Sequence, residues 1–403
     1  MKSNYDLIIV GGGIAGSALG RSLAEQGKQV LILEREKIFR DRVRGEYVHP
    51  WGVTELRALG IYDLLKQTCG HEARYRVNQI INGPPSKTRD LVETSPHKTG
   101  SMHFYHPKMQ EELLQAAEHA GSVVQRGSVV SDVKPGPIPT VIVREGQEEH
   151  TYQSRLVIGA DGRTSLCRNW AGFTVNHDPD RMLIMGLLLD GSGAPDNVVH
   201  YYINPINSEF SVLTPLGNTR VRCYTGFHQQ DGRRRLSGHK DIDEFVTTSI
   251  SAGAPRDWFV NATASGPLAS FDCADTWVSH PYDNGIALIG DAASSSDPSY
   301  GCGLSLALRD VRVLRDLLLT EKNWDVAGHQ YATEHDRYFD SIHRLTNWLT
   351  MLMYEPGPSA AVRRERVFAR LTEDPRRLPD LPGLGPEFPS DEAAYRNLFG
   401  DDD

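Results

Sequence analysis

The chain has 403 residues, 39% hydrophobic and 24% charged, with 43 Lys and Arg against 52 Asp and Glu for a formal charge of −9. That length suits two to three domains with sizeable cores, and the acidic balance argues against nucleic acid or an anionic membrane surface as the main partner. The apolar runs fall far short of the roughly 20 residues of a membrane helix, and no basic, cleavable secretory signal opens the chain. A cytoplasmic protein with no membrane span is therefore expected.

The five cysteines (Cys69, Cys167, Cys223, Cys273, Cys302) include no Cys-x-x-Cys pair, so neither a disulfide framework nor a metal site is expected. The arginine clusters around Arg233 and Arg363 read as solvated faces.

In chain order, the first 35 residues have the pattern of a strand–helix–strand unit: an apolar strand over 5–10, a glycine turn from Gly11 to Gly16, a helix to about Gln26 and a strand over 29–33. Ile14, Ala18, Leu19 and Leu23 give that helix a buried stripe. A helix follows over 51–66, an irregular loop or hairpin over 82–100, and a helix from Pro107 to the stop at Gly121. Strands are expected over 122–132, 140–144 and 156–158.

From residue 182 to about 270 the pattern changes to alternating strands (182–189, 198–203, 210–213, 220–227) with one helix near 241–251. This reads as a mainly antiparallel sheet inserted into the first fold. A strand over 285–289, a helix over 304–319 and a long helix over 324–353 return to it. Beyond Tyr354 the prolines leave one short helix and an otherwise irregular tail. The expected fold is α/β: a Rossmann-like nucleotide-binding domain (1–80, 100–180 and 281–320), a β-sheet substrate domain (81–99 and 181–280), and C-terminal helices with an irregular tail (321–403).

Gly11, Gly13 and Gly16 form a Gly-x-Gly-x-x-Gly turn between strand and helix. The glycines permit a tight turn, close approach to a pyrophosphate and close helix packing, with phosphate at the helix N-terminus. Glu34 closes the second strand, where a carboxylate would bind ribose hydroxyls. Two later apolar strands each deliver a Gly and an Asp at their carboxyl ends, Gly159-Ala160-Asp161-Gly162 and Gly290-Asp291, and in the second Gly301 and Gly303 open a new helix.

At these residues the chain resembles the flavoprotein monooxygenases of the para-hydroxybenzoate hydroxylase type, over nearly its whole length. Arg42, Gly45-Glu46 and Pro50, followed by Leu59-Gly60, and Pro298 to Leu304 with Ala307 to Asp310, resemble the squalene-epoxidase-like branch most. The resemblance implies FAD as cofactor, lined by Ile14, Ala15, Glu34, Arg35, Arg42, Tyr47, Val130, Asp291 and Leu304, with Gly301 to Leu304 facing the isoalloxazine. It implies NADPH or NADH as a transient hydride donor and oxygen transfer through a flavin C4a-hydroperoxide. Asp161, in the second motif, would serve FAD and nicotinamide alike.

Only one dinucleotide turn exists, so the nicotinamide would bind at a shared surface, with Arg42 and Arg44 as candidate phosphate partners unless they pair with Glu36 or Asp41. Where relatives place a flavin-contacting arginine, this chain has His106-Pro107-Lys108, leaving His106, Lys108 or neither in that role. His49 is either a proton relay or a structural histidine, and no catalytic base is assigned. The implied reaction is hydroxylation or epoxidation of a hydrophobic aromatic or unsaturated small molecule with O2, plausibly in natural-product metabolism, by a monomer or homodimer. The alternatives are a flavin-dependent halogenase, disfavoured by the lack of a Trp-x-Trp-x-Ile-Pro signature, a prenyl-chain reductase, and a non-catalytic flavin sensor.

Overall fold

A computed structural model describes residues 4–146 and 148–400. Its centre is a parallel sheet in the spatial order Ile286–Leu288, Glu148–Gly159, Asn4–Val10, Val30–Glu34, Val123–Arg126. The inner strands are apolar on both faces, as a parallel sheet covered on two sides requires. Leu7, Ile9 and Ile32 join one core beneath the helices, while Ile8, Leu31 and Leu33 join a second. The helices Ile14–Ala24, His106–His119, Gly303–Thr320 and Trp324–Met353 lie over the first core. An antiparallel meander, Val129–Lys134 and Thr140–Glu145, folds back on Glu148–Gly159 and covers the second.

A second sheet runs Thr263–Ala264, Met182–Asp190, Arg220–His228, Glu209–Gly217, Val198–Asn204, Tyr75–Ile80, Thr88–Asp90, with Ala269–Cys273 also pairing Met182–Asp190. One face packs under the helix Ile242–Ser251 through Phe245 and Tyr202. The other carries Ile184, Tyr201 and Phe210 into the first core, so this sheet faces the nucleotide-binding fold.

Several expectations are corrected. Tyr75–Ile80 pairs in parallel with Val198–Asn204, so the second sheet begins before residue 81; it is mainly antiparallel as expected. The helix expected over 51–66 is two, Pro50–Ala58 and Tyr62–Thr68. Gly60, at φ +68°, takes the left-handed turn that ends the first. The strand expected over 122–132 is split at Gly127, φ +75°.

The tail is more ordered than expected, with helices Pro358–Glu373 and Glu392–Phe399. Pro358 begins the first of these rather than breaking it, because proline's missing N–H costs nothing in a first turn. The segment between them is tied down by Trp51, whose indole N–H donates to the Leu381 carbonyl at 3.0 Å, and by a two-pronged Arg89–Asp380 ion pair. No helix among the described residues is long and apolar enough to cross a membrane.

Candidate functional site

The carboxyl ends of Asn4–Val10, Val30–Glu34 and Glu148–Gly159 open on a cavity of about 430 Å³, the place where ligands gather in sheets of this order. Gly11, at φ +109°, lies so close to the end of Glu148–Gly159 that a Cβ would overlap the Ala160 carbonyl oxygen, and a Cβ on Gly16 would overlap that of Gly11. Gly13 is the N-cap of Ile14–Ala24, no side chain caps it, and the first turn holds no acidic residue. Its N–H groups thus face outward for an anionic acceptor.

Glu34 is buried and accepts the Gly12 and Glu36 N–H groups, each at 2.7 Å. Its remaining lone pairs face the cavity it lines.

Of the residues expected from sequence, Gly11, Gly13, Glu34, Arg35, Arg42, Arg44, Val130 and Asp161 line this cavity. Asp161 spends its carboxylate on the next turn, accepting from Ser165 Oγ at 2.6 Å and the Leu166 N–H at 2.8 Å. Arg42 pairs with Glu36 at 2.7 Å. Asp41 instead pairs with Arg222, and no carboxylate among the described residues pairs with Arg44.

Lys108 is half exposed, pairs with Glu112, and does not line the cavity. His106 donates from Nδ1 to the Gly45 carbonyl at 2.8 Å, and burial pulls its pKa down to about 4. Gln110, one helical turn on from His106, lines the cavity instead, as do Phe39, Arg40, Ser128 and Trp170. The alignment of Gln110 with His106 on one helix face was the available signal.

Ile14, Ala15 and Gly16 lie at the helix start, next to the second Gly-Asp segment: a Cβ on Gly290 would come 3.3 Å from that of Ala15. Gly290, at φ +60°, donates its N–H to Asp310 Oδ2 at 2.6 Å, and Tyr338 donates its hydroxyl to the other oxygen. Asp291 is pushed above the usual carboxylate range by burial, against the pull of Arg44, Arg163 and Arg168.

Burial likewise raises Asp310 to about 6. The folded state then binds that proton more tightly than the unfolded chain, so this contribution to stability is fully present below about pH 4 and lost as pH rises through about 6. Between about pH 4 and about pH 6 Asp310→Asn should gain about 2 kcal/mol relative to the parent, read by urea unfolding at each pH.

The loop before Gly303–Thr320 is held from several sides. His49 is fully buried and donates from Nε2 to the Tyr300 carbonyl at 3.0 Å. Its backbone N–H donates to Ser305 Oγ at 3.1 Å. Burial, then the nearby Arg76 charge, lowers its pKa to about 3, which favours the neutral imidazole with Nε2 tied to the loop.

Tyr201 donates to the Ser299 carbonyl and lies 3.1 Å from the Tyr354 hydroxyl. Tyr47 packs edge-on to His49, with ring centroids 4.5 Å apart, and a Cβ on Gly301 would come 3.0 Å from its ring. Gly303 and Leu304 form the first turn of the following helix, again without a side-chain cap or an acid. Ser294 is hydrogen-bonded to His335 at 3.0 Å.

A glycine cradle closed to a Cβ at Gly11 and Gly16, an uncapped helix start and a buried carboxylate at the end of the neighbouring strand fit a dinucleotide with a pyrophosphate and a ribose. The family model described as "FAD binding domain" matches residues 4–338. The chain therefore belongs to this family of FAD-binding flavoproteins, which includes the group A monooxygenases.

The chain is 27% identical to squalene epoxidase 2, mitochondrial, of Arabidopsis thaliana over 341 residues, covering 80% of this chain and 55% of that one. It thus spans a little over half of that relative's length. It is 26% identical to digeranylgeranylglycerophospholipid reductase 1 of Methanococcoides burtonii, covering 76% and 72%. In fold it is similar to p-nitrophenol 4-monooxygenase PnpA from Pseudomonas putida, with a TM-score of 0.77 at 15% identity over 100% of both chains.

Proposed function

We propose that the protein is an FAD-dependent monooxygenase that draws reducing equivalents from NADPH or NADH and places one oxygen atom of O2 on an aromatic or unsaturated small molecule, by hydroxylation or epoxidation. The observation that carries this reading is the aromatic face of the second sheet, Tyr201 and Phe210, set against the loop that leads into Gly301 to Leu304. A sheet wall opposite the ring-binding segment encloses a substrate beside the cofactor.

FAD would be held by the glycine turn, Glu34 and the Asp291 segment, and once bound it would supply hydride acceptance and oxygen activation. The chain's own part is placement and dryness. His49, Tyr201 and Ser305 lock the loop and helix start, and Tyr300 and Tyr354 close the wall, with ring centroids 6.4 Å apart. Arg44, which forms no ion pair among the described residues although its charge is felt at Asp291, is better placed than Arg42, paired with Glu36, to take a nicotinamide phosphate.

The second reading, saturation of a prenyl chain, is favoured by the likeness to the archaeal reductase. Coupled measurement of NADPH or NADH oxidation, O2 uptake and product mass separates the two. Uptake of O2 with a mass gain of one oxygen is expected, whereas turnover without O2 uptake and with a gain of two hydrogens would overturn the oxygenase reading.

A further inference from the structure

The face of the second sheet that looks toward the loop before Gly303 can be read from its register. Asn78, Tyr201, Val212, Tyr224 and Gly186 form one row across it. Side chains two residues apart on a strand share a face, so Arg76 and Arg222 stand on the same wall, one near each side.

Their electrostatic situations differ. Arg222 is fully buried and its charge is met by Glu46 and Asp41. Arg76 is half-buried, donates from Nε to Asn78 Oδ1 at 2.8 Å and from Nη1 to the Tyr47 hydroxyl at 3.3 Å, and lies 5.3 Å from the Tyr201 ring centroid. All of these partners are neutral, and no carboxylate among the described residues pairs with it.

A guanidinium kept among aromatic rings without a counter-charge costs free energy that a folded protein normally offsets with an acid. Arginine is also the side chain whose fork matches a carboxylate in two-pronged fashion. The charge reaches the site's core: after burial, it is the next cause depressing His49, and it opposes the upward push of burial on Tyr47.

We propose that the substrate carries an anionic group, a carboxylate or an acidic phenolate or enolate, and that Arg76 binds it while Tyr47 and Tyr201 flank the attached apolar body. This rests on the oxygenase reading for what becomes of the substrate, and it replaces a purely hydrophobic substrate by an amphiphilic acid. Arg76 selects and orients, and it takes no part in bond making.

The test uses the flavin-loaded full chain with benzoate, cinnamate and 2-naphthoate, each against its neutral primary carboxamide. Affinity is measured by calorimetry and by perturbation of the flavin absorbance. At least one acid should bind about ten-fold or more tightly than its amide. Arg76→Gln should abolish that preference while leaving amide binding unchanged, and Arg76→Lys, which keeps the charge without the fork, should retain part of it.

Circular dichroism identifies a variant that fails to fold, in which case the lysine variant and the parent's acid-to-amide ratio decide. No acid binding better than its amide, or a preference that survives Arg76→Gln, overturns the proposal. Oxygen uptake is read separately. Acid binding lost in Arg76→Gln without oxygenation of any compound sinks the oxygenase reading alone, and acids oxygenated with the same KM by parent and Arg76→Gln sink this assignment alone.

Discussion

Arg222→Met is expected to destabilise the protein by about 3–5 kcal/mol near pH 8, the usual consequence of stranding one member of a buried ion pair. Arg222 and Glu46 are both fully buried, and they meet through two N–H···O bonds of 2.9 Å. A third bond joins Arg222 to Asp41 at 2.8 Å. Burial pushes the Glu46 carboxyl up and the guanidinium pulls it back, so without Arg222 the carboxyl rises further.

A carboxyl raised in the folded state favours folding at low pH and loses that contribution as pH rises. The defect should therefore be smaller near pH 5 than near pH 8. Glu46→Gln combined with Arg222→Met should recover part of the loss, since the fully buried carboxylate is then removed and only Asp41 still lacks its partner. Urea unfolding followed by tryptophan fluorescence reads both variants beside the parent, and a pH-independent loss would mean that Glu46 is not the group left stranded.

The same pair couples the two sheets. Residues 40–46 carry Arg42 and Arg44 along the cavity, and Arg222 fastens this loop to the second sheet. Tyr224 adds a bond of 2.7 Å to the Arg44 carbonyl. Val43 is held at φ +53°, a left-handed conformation that a β-branched residue adopts only when its surroundings impose it. Its N–H donates to Asp41 at 2.9 Å, and its side chain packs where Gly186 leaves room on the opposing strand.

This arrangement also shows why part of the site was legible in the sequence and part was not. The glycine turn, Glu34 and the two Gly-Asp segments stood out because backbone geometry demands particular residues at fixed spacing. The long helix Trp324–Met353 stood out because its apolar face repeats over eight turns' worth of residues. The Glu46–Arg222 pair is 176 residues apart in the chain, and no local pattern announces which of many arginines meets a buried acid.

Trp170 reaches the cavity by tertiary placement alone. Tyr75–Ile80 alternates too weakly to declare its sheet, having only one parallel partner strand and a short antiparallel one. The prolines of the tail were misleading because a proline starts a helix as readily as it stops one, and only the following residues decide.

The glycine turn carries the other large effect, and its three glycines should fail differently. Gly11→Ala places a Cβ on the Ala160 carbonyl oxygen at φ +109°, and Gly16→Ala places one on the Gly11 carbonyl oxygen. Both clash with backbone, which cannot turn aside as a flexible side chain can. These variants should be purified colourless or misfolded, with FAD affinity at least about 100-fold weaker, a loss of about 2.7 kcal/mol or more.

Gly13→Ala is the informative contrast. Its φ of −72° and ψ of −169° suit any residue, and the nearest atom to a new Cβ is Gln110 Nε2 at 3.9 Å. The apoprotein should thus keep its stability within about 0.5 kcal/mol. FAD affinity should still fall about ten-fold or more, because the added methyl occupies the space through which a pyrophosphate approaches the helix N-terminus. Absorbance at the flavin band per mole of protein, with calorimetric titration of the apoprotein, measures both quantities. A Gly13→Ala protein that binds FAD as tightly as the parent would place the pyrophosphate elsewhere in the cavity.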